Sequence, residues 1–367
     1  MFDVIVVGLG GMGSAAAAHA ASRGKRVLGL EQFQPAHDQG SSHGRSRVIR
    51  LAYFEHPAYV PLLRRAYELW RRLEEQTGRR LLQITGGLMI GKPDSDVVSG
   101  SLRSAQEHLL DHEMLEAAQI RQRFPALTPS PRDVALYEKQ AGIVFPEEAI
   151  RAHLDVATDN GAHVHFDERV EDWHVASSGR VEVRTSRGRY ECERLILAPG
   201  AWASELFAID WLRLEVEPQQ LHWFDPHGGP EPFQPDRFPI YIWDLGTGIQ
   251  FYGFPADDEG RVKVAFFRSK VKGEDAMRAA LAPCIPGLAD GRLLETVSCK
   301  YTLTPDQHFV IGRHPDYEQV VIASPCSGHG YKFASVIGEI LSDLAIDGAT
   351  RHPIDLFAPE RFRGSPS

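Results

Sequence analysis

The first 31 residues constrain the fold more than any other part of the chain. Residues 2–7 read as a short apolar strand that runs into the turn Gly8-Leu9-Gly10-Gly11-Met12-Gly13. The pattern predicts an alanine-rich helix over 14–21 and a second strand over 25–30 that ends at Glu31. Each glycine has a physical task in such a unit: Gly8 allows the tight turn, Gly10 lets backbone approach a pyrophosphate, and Gly13 lets helix and strand pack closely. Gly11 and Met12 open the helix, whose N-terminus offers unpaired N–H groups and a positive dipole end to phosphates. Glu31, about 20 residues on, is placed to accept hydrogen bonds from a ribose diol. Strand, turn, helix, strand and acid in register predict an adenine dinucleotide.

The 367 residues can bury two cores, so two domains are expected. A net charge of −9 argues against a nucleic-acid partner, which wants a basic face. No apolar run approaches the ~20 residues of a membrane helix. Nothing precedes the first strand that could be a targeting peptide, and the final Gly-Ser-Pro-Ser is not a peroxisomal address, so a cytoplasmic location is expected. Four cysteines (Cys192, Cys284, Cys299, Cys326) form neither a metal pattern nor a disulfide framework, and no metal is expected.

Further along, Gly40-Ser41-Ser42-His43-Gly44 is a small polar loop followed by Arg45, Arg47 and Arg50. An amphipathic helix carries Val60, Leu63, Tyr67 and Trp70, residues 86–91 read as a strand, and a charge-rich helical stretch is expected over 101–122. A helix over 147–160, stopped by Gly161, precedes short strands near 163–166, 170–175, 180–185 and 189–197. The last of these leads to Gly200-Ala-Trp202, a strand-rich region covers about 212–302, and a final helix is expected over 332–344 behind Ser327-Gly-His-Gly330. Helical and strand-rich material alternates where a nicotinamide dehydrogenase would show one cofactor domain and then one substrate domain. The expected class is therefore α/β (α+β overall): a Rossmann-like FAD-binding domain from the discontinuous segments 1–83, 146–208 and 306–367, with 84–145 and 209–305 forming a substrate domain on a mostly antiparallel sheet.

Cys299-Lys-Tyr301-Thr-Leu-Thr-Pro-Asp306-Gln-His-Phe-Val and Ser327-Gly-His-Gly-Tyr-Lys332-Phe resemble the monomeric sarcosine oxidase and N-methyltryptophan oxidase family, as does the polar loop with Arg47 and Arg50. With the N-terminal turn and Gly200-Ala-Trp202, the likeness spans nearly the whole chain. The resemblance implies an FAD enzyme, monomeric, that oxidises the secondary amine of a small amino acid, returns the electrons to O2 as hydrogen peroxide, and tethers its flavin through Cys299. A thiolate adding to an electron-poor flavin needs reach and nucleophilicity; Cys326 is the rival thiol. Ser41, Ser42, His43, Val170, Gly200, Trp202, Gly328, Gly330 and Arg47 join the expected cofactor contacts.

By the same resemblance Arg50 and Lys332 take the substrate carboxylate, the first as a planar fork and the second as a point charge. Tyr53, Tyr252 and Tyr301 are expected at the cavity, and Lys263 beside the flavin edge, where it would stabilise superoxide. His329 is expected to orient the glycine turn. One position departs: where sarcosine oxidase has a histidine, this chain has Phe267, which cannot hydrogen-bond a substrate. A bulkier, cyclic or apolar-sided secondary amino acid is therefore expected in place of sarcosine. A flavin dehydrogenase with another acceptor, an oxidase of glycated amino acids or of a biosynthetic intermediate, and a non-catalytic dinucleotide sensor are the alternatives.

Overall fold

The computed structural model describes residues 1–364; the Ser365-Pro-Ser part of the C-terminus discussed above lies outside the described residues. Phe2–Val7 is fully apolar on its inner half because it runs through the middle of a parallel sheet with both faces covered. Its neighbours are Val27–Leu30 on one side and Arg189–Leu197 on the other, continued outward by His163–His165 and Tyr317–Ser324. Arg189–Leu197 forks: its last residues lie parallel to the first strand, and its first residues pair antiparallel with Val181–Thr185, which carries Val170–Val175. The expected meander hangs from that fork.

Three helices cover one face of this sheet: Gly11–Ser22, Pro146–Asp159 and Ala334–Ile346. The first is alanine-rich for a packing reason. It is buried on nearly every side, and a Cβ added at Gly338 would lie 2.4 Å from that of Ala15. Small side chains let the helix axes approach.

The second layer is an eight-stranded sheet in the order Arg292–Leu303, Glu215–Asp225, Val262–Phe266, Gln250–Ala256, Ile240–Asp244, Gly87–Gly91, Val134–Glu138, Glu113–Glu116. Every joint is antiparallel except that between Ile240–Asp244 and Gly87–Gly91. A small sheet of Arg47–Ile49, Gly142–Val144 and Leu82–Ile84 sits between the layers and fixes where Arg47 leaves the backbone.

Several expected elements shift. The helix anticipated over 101–122 is two helices, Asp96–Glu107 and Ala117–Arg123, around the strand Glu113–Glu116. Ser95 starts the first by accepting the Val98 N–H, and Leu109, in the left-handed region at φ 51°, ends it. Pairing of Glu113–Glu116 with Val134–Glu138 then overrides the helical propensity of that charged stretch. The first helix begins at Gly11, three residues ahead of its expected start at Ser14, and the last follows a tight turn over Tyr331–Phe333. The strand-rich region also holds the short helices Glu274–Leu281 and Pro286–Ala289. Among the described residues no helix is long and apolar enough to cross a membrane.

Candidate active site

One continuous cavity, about 1750 Å³ counting the part open to solvent, runs between the layers from Gly8–Met12 and Glu31 to Arg50 and Lys332. At its first end the glycines do steric work. Gly8 sits at φ 83°, and a Cβ there would lie 2.6 Å from the Ala198 carbonyl oxygen; one at Gly13 would lie 1.7 Å from the Gly8 oxygen. Gly13 is thus a packing residue behind the wall, whereas Gly8, Gly10, Gly11 and Met12 line it. Gly10, at the N-cap, offers no side-chain hydrogen bond, so of the first-turn N–H groups only that of Gly11 is taken by a side chain. The Gly11 N–H donates to Ser42 Oγ at 3.2 Å. Glu31 accepts from the Leu9 N–H at 2.8 Å and the Phe33 N–H at 3.1 Å, which fixes its carboxylate and leaves lone pairs for a ribose. Val170, Gly200 and Trp202 complete this end.

Midway, Arg47 and Cys299 meet. Arg47 Nη2 lies 3.0 Å from the Ser41 carbonyl oxygen and 3.5 Å from Cys299 Sγ, and its Nη1 donates to the Ser46 carbonyl at 2.8 Å. The guanidinium thus lies against the Cys299 thiol, on the strand Arg292–Leu303, and both line the cavity. Cys326 also lines the cavity, but burial pushes its thiol up to about 11. Ser41 lines this stretch with a buried, unpartnered hydroxyl.

Two expected residues stand back from the wall. His43 is buried with Nε2 unpartnered; burial, then the Arg47 charge, pushes its pKa down to about 4. Lys263 donates to the Gly44 carbonyl (2.7 Å), the Ser46 carbonyl (2.7 Å) and Ser46 Oγ (3.2 Å), which uses all three of its N–H groups. Its ammonium therefore clamps the loop that holds Arg47 instead of reaching into the cavity. Burial and Arg47 push its pKa well down.

The far end gathers charge. Arg50 is 1% exposed, donates to the Ala52 carbonyl at 2.6 Å and pairs with Glu55 at 2.7 Å, and stacks over the Tyr53 and Phe54 rings. Its Nε and one oxygen of Glu55 have no partner. Burial alone would raise the Glu55 pKa, but the surrounding cations, Arg50 first and then Arg268 and Lys332, outweigh it and hold the carboxyl at about 2. Lys332 donates to the His329 carbonyl at 2.6 Å and to Tyr53 Oη at 3.4 Å; burial, then Arg50, lowers its pKa to about 7. Tyr252 and Tyr301 line the wall with hydroxyls 3.4 Å apart, and Phe267 lines it beside Ile242. Gly328 and Gly330 shape the turn; a Cβ at Gly330 would collide with the Pro325 oxygen at 1.4 Å. Tyr53 is placed differently from expectation. It is wholly buried behind Lys332 and does not touch the cavity, because its hydroxyl is drawn to His329 Nδ1 at 2.5 Å.

Sequence reasoning missed Glu55, which lines the cavity, and Arg268, whose charge acts on that carboxylate. Glu55 follows Arg50 closely enough to have been noticed as its counter-ion. Arg268, which donates to the Ser327 carbonyl at 2.9 Å, carries no local signal.

The residues fit a flavin dinucleotide: a glycine cradle that a Cβ would fill, a helix N-terminus led by glycine, a thiol beside a guanidinium, and unpaired buried donors at the ring end. Comparison with known proteins agrees. Residues 3–344 match the model of the FAD dependent oxidoreductase family. A monomeric sarcosine oxidase of Streptomyces avermitilis is 49% identical over 100% of this chain and 99% of its own. The chain belongs to the monomeric sarcosine oxidase and N-methyltryptophan oxidase family of FAD-dependent oxidoreductases. An N-methyl-L-tryptophan oxidase of Yersinia pestis is 32% identical over 99% of this chain and all of its own. Among solved structures, the amino acid oxidase NikD, essential for nikkomycin biosynthesis, superposes with a TM-score of 0.83 at 25% identity, covering 98% of this chain and 97% of its own. As a member of this family the protein is an FAD-dependent enzyme.

Proposed function

We propose that this family member oxidises a secondary amino acid, N-alkyl or cyclic, to an imine that water then hydrolyses, and reduces O2 to hydrogen peroxide. The observation that carries this reading is the single cavity joining the dinucleotide cradle to the Arg50–Lys332 cation pair. When bound, FAD would supply the two-electron redox chemistry between the amine and O2.

The chain's residues do the rest. Gly8 to Met12, Ser42 and Glu31 would hold the dinucleotide, and Cys299 is the cavity thiol that would tether its ring. Arg50 and Lys332 fix the carboxylate, and with it the amine and its α-carbon. Phe267, Ile242 and Tyr252 exclude water from the reacting carbon, and the apolar Phe267 favours a bulkier or apolar-sided substrate over sarcosine. Arg47 and the buried charge of Lys263 behind it favour negative charge forming nearby, as superoxide requires. We also infer that 1–83, 146–208 and 306–367 act as the cofactor domain and 84–145 and 209–305 as the substrate domain, in a monomeric, cytoplasmic enzyme.

The test is the visible spectrum of the purified protein before and after acid denaturation, followed by anaerobic titration with sarcosine, N-methyl aromatic amino acids, proline and pipecolate. Yellow colour should stay with the pellet and be lost in Cys299→Ser, and one or more of the larger amino acids should bleach the flavin in preference to sarcosine. Peroxide formed in air without added acceptor separates an oxidase from a dehydrogenase.

A further inference from the structure

Beside Lys332, and including His329 of the cavity wall, runs a hydrogen-bonded chain that the proposed chemistry does not itself require. His329 is wholly buried, and burial together with the Arg268 charge pushes its pKa well down, so the ring is neutral and carries one proton. Its Nε2 lies 3.0 Å from the backbone carbonyl of Gln307, which can only accept. The proton must therefore sit on Nε2, and Nδ1 is left as an acceptor. The Tyr53 hydroxyl, 2.5 Å from Nδ1, donates to it, and burial keeps that phenol protonated. With its one proton committed, Tyr53 Oη can only accept from Lys332 Nζ, at 3.4 Å. The His329 carbonyl accepts a second N–H of Lys332 at 2.6 Å. An ammonium has three N–H groups. Two are held from behind, and the third is the one left for the cavity.

We propose that His329 and Tyr53 are positioning residues that aim Lys332 at the substrate carboxylate, with the Gln307 carbonyl setting the direction of the chain. The inference rests on the proposed reading of Lys332 as a carboxylate ligand. It also gives Tyr53 a task that its distance from the cavity would otherwise leave unexplained. The rigid parts support it: the Tyr53 ring is packed between Tyr59 and Phe333, and His329 stacks on Phe309 at 4.8 Å, so neither can swing to another partner. The charged groups that face Lys332 are Arg50, Glu55, Arg268 and Arg47. Arg50 and Glu55 pair with each other, so the chain orients the lysine without supplying a counter-ion of its own.

The experiment uses FAD-loaded protein and titrates acetate, a carboxylate with no oxidisable amine, following the flavin spectrum. Tyr53→Phe keeps the ring packing and removes the hydroxyl that links His329 to Lys332. It should weaken acetate binding about tenfold, the scale of one lost charge-assisted hydrogen bond. For whichever amino acid bleaches the wild type, KM should rise by a similar factor with kcat changed less than about twofold. The corresponding amine lacking the carboxylate should react as before. His329→Leu should reproduce Tyr53→Phe, and His329→Gln, whose amide can still donate to Gln307, should recover part of the loss. Unchanged acetate binding in Tyr53→Phe with normal flavin content would overturn the proposal, as would equal damage to the amine without a carboxylate. Failure of every amino acid to bleach the flavin while acetate still binds would instead count against the proposed reaction.

Discussion

The two ends of the cavity are built by different means. At the dinucleotide end the contacts come largely from backbone: glycines without a Cβ and helix N–H groups of the first turn, with Glu31 beside them and Ser42, Val170, Gly200 and Trp202 closing the wall. At the substrate end they come from side chains carried by separate segments: Arg50 and Glu55 after the small sheet, Phe267 at the end of a strand of the large sheet, Lys332 at the start of the last helix. Backbone cradles tolerate almost no change because a Cβ has nowhere to go. Side-chain sites can be altered one contact at a time. Binding of the cofactor should therefore fail all at once, and substrate recognition by degrees.

The largest effect is expected at Gly13. Its Cβ would overlap the Gly8 oxygen at 1.7 Å, so Gly13→Ala must part the first strand from its helix. The expected outcome is protein without bound flavin, read from its absorbance; normal flavin content would break the comparison at its stronger side. Next is Lys263→Met. The lysine charge acts through the wall and not by a hydrogen bond into the cavity, so its loss should cost about 2 kcal/mol, or ~30-fold in rate. Reoxidation of the reduced flavin by O2 should slow by that order in stopped-flow traces while reduction by substrate changes little. Because Lys263 also clamps the loop at Gly44 and Ser46, equal slowing of both half-reactions would assign it to structure alone.

A smaller change is expected from Phe267→His, which restores a hydrogen-bonding ring at the cavity wall. The ratio of kcat/KM for sarcosine over a larger secondary amino acid should rise roughly tenfold, the scale of one such contact in a pocket. The smallest effect is with pH. Lys332 is lowered to about 7 by burial and then by Arg50, so it is charged below that pH and increasingly neutral above it. Carboxylate affinity should therefore fall as pH rises through about 7, by no more than tenfold per unit, since one proton is involved. Lys332→Met should remove that dependence from the acetate titration.

How much of this was legible in the sequence follows the same division. The first strand, turn, helix and acid could be read directly because local spacing alone dictates them. Likewise Arg47, Arg50, Cys299 and Lys332 stand in long motifs whose likeness to the family is plain, and the structure brings all four to one cavity. What escaped was three-dimensional. Nothing local says that Lys263 turns its three N–H groups onto the Gly44 and Ser46 loop, or that Tyr53 stands behind Lys332. Glu55 stands alone at the end of the apolar and aromatic run Leu51-Ala-Tyr-Phe, five residues after Arg50, and that placement was the overlooked signal for the buried counter-ion it proves to be. The strand Glu113–Glu116 was masked by charged, helix-favouring residues and owes its form to pairing with Val134–Glu138.

The central claim is that a flavin held by the backbone cradle lies within reach of an amino acid held by Arg50 and Lys332. Anaerobic mixing of the purified yellow protein with a panel of secondary amino acids and their decarboxylated amines tests it most directly. The account expects the visible flavin absorbance to disappear with at least one amino acid and far more slowly with the matching amine. Protein that is colourless and takes up no FAD, or a flavin that no member of the panel reduces, would contradict it.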